Sequence, residues 1–165
     1  MKPRILVAGI GNIFFADDAF GPAVLARLAH EPIAGAHTED FGIGVVHLAY
    51  ALLDGYDAAV IVDTVARGGA PGTLYVIEPA DAGEPLAADQ PDAHRMDLGS
   101  VFAFVRRLGG QPPPITIVGC EPESLDEGDD LSGTVARAVE TALPLVRRVV
   151  NQLLAKPEEQ VWSEA

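Results

Sequence analysis

Ile5-Leu6-Val7-Ala8-Gly9-Ile10-Gly11-Asn12-Ile13-Phe14-Phe15-Ala16-Asp17-Asp18-Ala19-Phe20-Gly21 is the stretch whose reading decides the fold. Its apolar opening, residues 4–8, predicts a buried strand of a parallel sheet. The glycines end that strand in a tight turn, and Phe20, Val24, Leu25 and Leu28 then recur at helical spacing over residues 17–30. A glycine turn behind a first strand is also where a dinucleotide would bind. That fingerprint needs a third glycine three residues past Gly11, so that helix and strand can close around a pyrophosphate, and Phe14 stands there. Asp17 and Asp18 also bring negative charge to the helix N-terminus that would hold a phosphate. The turn therefore delivers a carboxylate.

One of the two acids has a structural account. Asp is a favoured N-cap and suits the helix dipole, and Asp17 is read as that cap, with Asp17→Ala expected to cost about 0.5–2 kcal/mol. Only one residue can fill a cap. Asp18 is thus the candidate functional group, and its loss is expected to leave stability unchanged or raise it, because one of two crowded carboxylates goes.

Working outward, the chain alternates strands and helices. Strands are predicted at residues 36–40, 58–62, 73–77 and 115–118, and helices from Val45 to before Gly55, at 97–108, and from the cap Ser132 to about 154. Pro144 is expected to bend the last helix. Residues 80–93 read as an acidic surface loop. The strand at 73–77 follows Asp63 without a helix, too closely for a parallel crossover, and is expected to run antiparallel. The predicted fold is a three-layer α/β sandwich: a mostly parallel five-stranded sheet, one strand antiparallel, with helices on both faces. No composition break divides it, so residues 1–155 are read as one domain and 156–165 as a polar tail.

With 165 residues, 48% of them hydrophobic, the chain can bury a real core. Eleven basic against 24 acidic residues give a formal net charge of −13, which disfavours nucleic acid and anionic membranes as partners. Cys120 is the single cysteine, so neither a disulfide framework nor a thiolate metal site can form within one chain. The N-terminus enters its strand at once and no apolar run reaches transmembrane length, so a cytoplasmic protein, read as a monomer, is expected.

In open α/β sheets, sites lie beyond the carboxyl ends of the parallel strands. Those ends carry Asn12 and Asp18, then Asp40, then Asp63 and Thr64, then Cys120 and Glu121. Asp at a strand end is commonly a turn residue or a helix cap. Asp63 stands apart, because it follows Ala59-Val60-Ile61-Val62 with no helix behind it to cap. His94, in the acidic loop just before a helix, would add a nitrogen to two carboxylates, a set suited to a borderline divalent metal. His30, His37 and His47 are read as structural or surface residues. Cys120 is read as a small buried apolar residue and not as a nucleophile.

These residues resemble a known family. Gly9-Ile10-Gly11-Asn12, Asp17-Asp18, Gly21, Val62-Asp63-Thr64 and His94, with Gly72-Thr73-Leu74-Tyr75-Val76-Ile77-Glu78-Pro79 and Ile117-Val118-Gly119-Cys120-Glu121-Pro122, look like the hydrogenase maturation endopeptidases. The resemblance covers residues 4–150. It implies an endopeptidase that trims a C-terminal extension from a nickel-loaded large-subunit precursor of a nickel–iron hydrogenase. It also implies that Asp18, Asp63 and His94 meet substrate-borne nickel, which serves as a recognition signal and not as a stably bound cofactor. Gly9, Gly11, Asn12, Asp40 and Gly42 would face the substrate. Which group activates the attacking water is left open. The family often has Gly-Gly-Thr after the second strand's Asp, whereas Phe41-Gly42-Ile43-Gly44 follows Asp40 here, a change bearing on which hydrogenase is served. A non-cutting chaperone of the large subunit, and an amidase or nucleosidase on a similar sheet, are the alternative readings.

Overall fold

In the computed structural model, which describes residues 2–79 and 98–155, the strands are β1 (Ile5–Ile10), β2 (Ala36–Gly42), β3 (Ala58–Thr64), β4 (Leu74–Ile77) and β5 (Ile115–Cys120). The helices are α1 (Phe20–His30), α2 (Val45–Leu52), α3 (Leu98–Arg107) and α4 (Gly133–Ala155), with a 3-10 turn over Ala16–Ala19 before α1. The five strands form one sheet in the order β2-β1-β3-β5-β4. Its first three pairings are parallel, and β4 runs antiparallel to β5, as the short connection from Asp63 required. The strands reach further than their apolar runs predict: β1 continues through Gly9 to Ile10, and β3 and β5 end on polar Thr64 and on Cys120. Backbone pairing continues wherever a neighbouring strand offers partners, whatever the side chain.

Strand alternation sorts the core into two layers. Ile5, Val7, Val60, Val62 and Val118 pack against α1 and α4, while Leu6, Ala8, Ile61 and Ile117 pack against α2 and α3. α1 lies very close to the sheet, and two glycines allow it. A Cβ on Gly21 would stand 2.3 Å from the Ile10 carbonyl oxygen and 2.4 Å from that of Val62, and one on Gly9 would strike Leu25 at 2.7 Å. The close approach that the dinucleotide fingerprint assigns to a glycine in the turn is supplied here from within the helix.

β4 pairs with β5 and not with the strand before it. The connection from β3 to β4 therefore crosses the carboxyl end of β5 and is pinned there. The N–H of Val65 bonds the Cys120 carbonyl, that of Gly72 the Glu121 carbonyl, and the N–H of Glu121 bonds the Thr73 carbonyl. The buried Glu121 carboxylate accepts the Arg67 N–H at 2.8 Å. Glu121, one of the acids at the strand ends, is thereby a loop anchor.

Among the described residues no helix is long and apolar enough to cross a membrane. His94, residues 80–93 and the tail 156–165 lie outside the described residues.

Candidate active site

The strand order reverses between β1 and β3, since β2 lies beyond β1 on one side and β5 beyond β3 on the other. Such a switch point opens a crevice at the carboxyl ends, and Asp18, Asp63 and Thr64 meet there. Gly11 makes this possible. Its φ of +145° lies outside the range that side chains adopt readily, and a Cβ there would sit 1.9 Å from the Asp18 carbonyl oxygen. The backbone of Asp18 is thus pressed against the end of β1.

Asp18 is 5% exposed. Its Oδ2 accepts the Asn12 N–H at 2.7 Å and its Oδ1 accepts the Thr64 hydroxyl at 3.1 Å. Asp63, half-buried at the end of β3, accepts the Thr64 N–H on its Oδ1 at 2.7 Å. Thr64 therefore touches both carboxylates. This corrects the expectation for Asp18 removal: one buried and one part-buried hydrogen bond are lost with it, so Asp18→Ala should destabilise, by about 1–3 kcal/mol.

Asp17 is not the cap of α1. Neither the 3-10 turn nor α1 has a side-chain cap bond, and Asp17 is fully buried. Its Oδ2 accepts the N–H groups of Glu123 (2.9 Å) and Ser124 (3.0 Å) and the Ser132 hydroxyl (3.0 Å), and its Oδ1 accepts the Ser132 N–H (2.7 Å). Ser132 in turn accepts the Val135 N–H at 3.3 Å, the capping bond of α4 that the sequence predicts. Asp17 thus anchors the cap of the last helix and not its own. Backbone bonds between Ala16 and Gly128, Asp17 and Ser124, and Gly128 and Phe14 tie the same two loops together. Ala16 takes a positive φ of 45° to make this turn, a strain that the docked loops sustain.

The other predicted residues sit as follows. Gly9 is buried beneath α1, where it serves packing. The Asn12 side chain accepts the Phe14 N–H at 2.9 Å and shapes the loop tip. Asp40 is exposed and closes a local turn through the Gly42 N–H at 2.9 Å. The register of β2 against β1 slips between Gly9 and Ile10, a bulge of the kind found beside active sites, and the Gly42 carbonyl accepts the Gly11 N–H at 2.9 Å. The loops after β1 and β2 are thereby joined, and their apolar tips face solvent: Ile13 is 51% exposed, Phe14 64% and Ile43 61%. Among the described residues no three His, Cys, Asp or Glu side chains are grouped to hold a metal.

Cys120 is buried and its Sγ lies 3.6 Å from the Glu121 carbonyl oxygen. Burial first, then the charges of Asp17 and Glu121, push the thiol up to about 12. It therefore stays protonated at neutral pH, and only the thiolate is a nucleophile. Iodoacetamide at pH 8 should label Cys120 only after denaturation, and Cys120→Ala should keep full activity at a stability cost of about 1 kcal/mol. Rapid stoichiometric labelling of the native protein, read by mass, would contradict this.

Fold and site together define an open α/β protein with two carboxylates held on one threonine at the switch point of its sheet, and with exposed apolar tips on the loops after β1 and β2. The profile of the family HycI, hydrogenase maturation protease, matches residues 38–149. The chain is 32% identical over 152 residues to the hydrogenase 2 maturation protease of Escherichia coli strain K12, covering 90% of this chain and 92% of that protein. It is 29% identical over 163 residues to the hydrogenase expression/formation protein HupD of Rhizobium leguminosarum bv. viciae, covering 94% and 80%. Among solved structures, the hydrogenase maturating endopeptidase HybD from E. coli matches with a TM-score of 0.77 at 28% identity, over 90% of this chain and 93% of that one. The chain belongs to the hydrogenase maturation protease family and is a peptidase.

Proposed function

We propose that this protein removes the C-terminal extension from the nickel-loaded large-subunit precursor of a nickel–iron hydrogenase, with Asp18, Asp63 and His94 contacting the substrate's nickel. The observation that carries the reading is the pair of carboxylates, from the β1–α1 loop and the end of β3, held on one threonine at the switch point in a chain of this family. Support for His94 comes from α3. This helix leads into the amino end of β5, so its start lies at the carboxyl edge, and Leu98, four residues past His94, is buried in the α2/α3 layer. Strand alternation turns Asp63 toward that same layer.

Two carboxylates and an imidazole suit a borderline divalent ion. The exposed Ile13, Phe14 and Ile43 suit a protein substrate better than a small molecule, and family membership favours cleavage over the chaperone, amidase and nucleosidase readings. Gly11, Asn12, Asp40 and Gly42 would line the approach, where Phe41-Gly42-Ile43-Gly44 stands in place of the family's frequent Gly-Gly-Thr and bears on the choice of hydrogenase. The acidic surface and single buried thiol support a cytoplasmic setting.

Incubation of the purified protein with nickel-loaded precursor should remove a C-terminal peptide, read as a mass loss. An intact precursor after incubation with folded protein would refute the reading. The isolated protein should also purify without stoichiometric nickel, because the substrate supplies the tighter part of the coordination. Elemental analysis showing one nickel per chain, resistant to mild chelation, would mark a conventional metallopeptidase instead.

A further inference from the structure

Thr64 is 2% exposed and bonds both carboxylates of the crevice, through its N–H to Asp63 Oδ1 at 2.7 Å and through its hydroxyl to Asp18 Oδ1 at 3.1 Å. We infer that Thr64 is a positioning residue that fixes Asp18 and Asp63 in one mutual arrangement and so sets the geometry in which they meet the substrate's metal. The inference rests on the reading of these two acids as metal contacts.

A carboxylate rotates broadly about its last torsion. The Asn12 N–H alone, on Oδ2, would leave Asp18 free to swing about that one bond. The Thr64 hydroxyl on the other oxygen fixes the plane of the group. Each oxygen of an ionised carboxylate has two acceptor sites, so one bond on each leaves one on each open to a ligand. The donor's place at the end of β3 matters equally, because the same residue's backbone fixes Asp63. The spacing of the two acids is therefore tied to a single point of the sheet. Asn12 and Thr64 come from the two strand ends that flank the crevice, so Asp18 is held from both walls. With Thr64 buried, water cannot readily take over the hydroxyl's bond.

The two bonds can be separated by substitution. Thr64→Val keeps the β-branched shape and the N–H to Asp63 and removes only the hydroxyl, whereas Thr64→Ser keeps the hydroxyl and loses a methyl group. With nickel-loaded precursor, folded Thr64→Val should show kcat lowered roughly 10–100-fold, the range for losing a group that orients a metal ligand. Its KM should rise as well, because the displaced carboxylate also reads the nickel by which the substrate is recognised. Thr64→Ser should recover most of the rate. A crystal structure of Thr64→Val should show the Asp18 carboxylate turned from its wild-type plane while Asp63 stays. Wild-type kcat in Thr64→Val would overturn the inference, as would failure of a folded Thr64→Ser to recover. Should the wild-type protein process no precursor, the proposed function falls while the structural comparison still decides: an unmoved Asp18 in Thr64→Val refutes positioning, and a turned one sustains it.

Discussion

Asp18→Asn is expected to stop processing of the nickel-loaded precursor while leaving the protein folded. The amide matches the carboxylate in shape, and its surroundings tolerate it. The Asn oxygen can accept the Asn12 N–H, and its NH2 can donate to Thr64 Oγ1, which a rotating hydroxyl allows. Stability should therefore fall by no more than about 1 kcal/mol. What disappears is the anionic ligand. Losing a group that merely orients a ligand costs about 10–100-fold, so losing the contacting group should lower the rate by roughly 100-fold or more. Mass analysis of the precursor and a denaturation curve read the two effects separately. Full processing by folded Asp18→Asn would move the role to another acid, with Asp40 next in line.

The same substitution one residue earlier should do the opposite. Every hydrogen bond that the Asp17 carboxylate makes is with a donor: three backbone N–H groups and the Ser132 hydroxyl. An amide at this position must turn its own NH2 toward at least one backbone N–H, whichever way it is flipped. With one or two part-buried donors unsatisfied, at about 1–2 kcal/mol each, Asp17→Asn should lose about 2 kcal/mol, and Tm should fall by roughly 4–8 °C for a chain of this size. The loop carrying Glu123 and Ser124 and the start of α4 would loosen together. An unchanged denaturation midpoint would refute this role for Asp17.

These adjacent acids show where sequence reasoning stops. That Asp18 is special follows from local logic, because a glycine turn delivers it behind a first strand. The role of Asp17 does not, since its partners lie 106 to 115 residues away and nothing nearby distinguishes it from a helix cap. Thr64 was legible only as the neighbour of Asp63. Its hydroxyl gains meaning once β1 and β3 lie side by side and bring Asp18 within 3.1 Å. Glu121 was visible as a strand-end acid, but its anchoring of the loop from Val65 to Thr73 depends on β5 being the strand that this loop crosses.

By itself the sequence determined the alternation of strands and helices, the antiparallel sense of β4 and the glycine turn after β1, because each is set by local periodicity, chain length or backbone sterics. Ser132 as the cap of α4 was equally local. Only the tertiary structure decided the strand order β2-β1-β3-β5-β4, and with it the switch point between β1 and β3. Strand order depends on which faces bury which layers, a long-range choice that no window of sequence contains. The division of labour between Asp17 and Asp18 follows from that choice: one carboxylate was enclosed among donors of a distant loop, and its neighbour was left at the crevice with acceptor sites to spare.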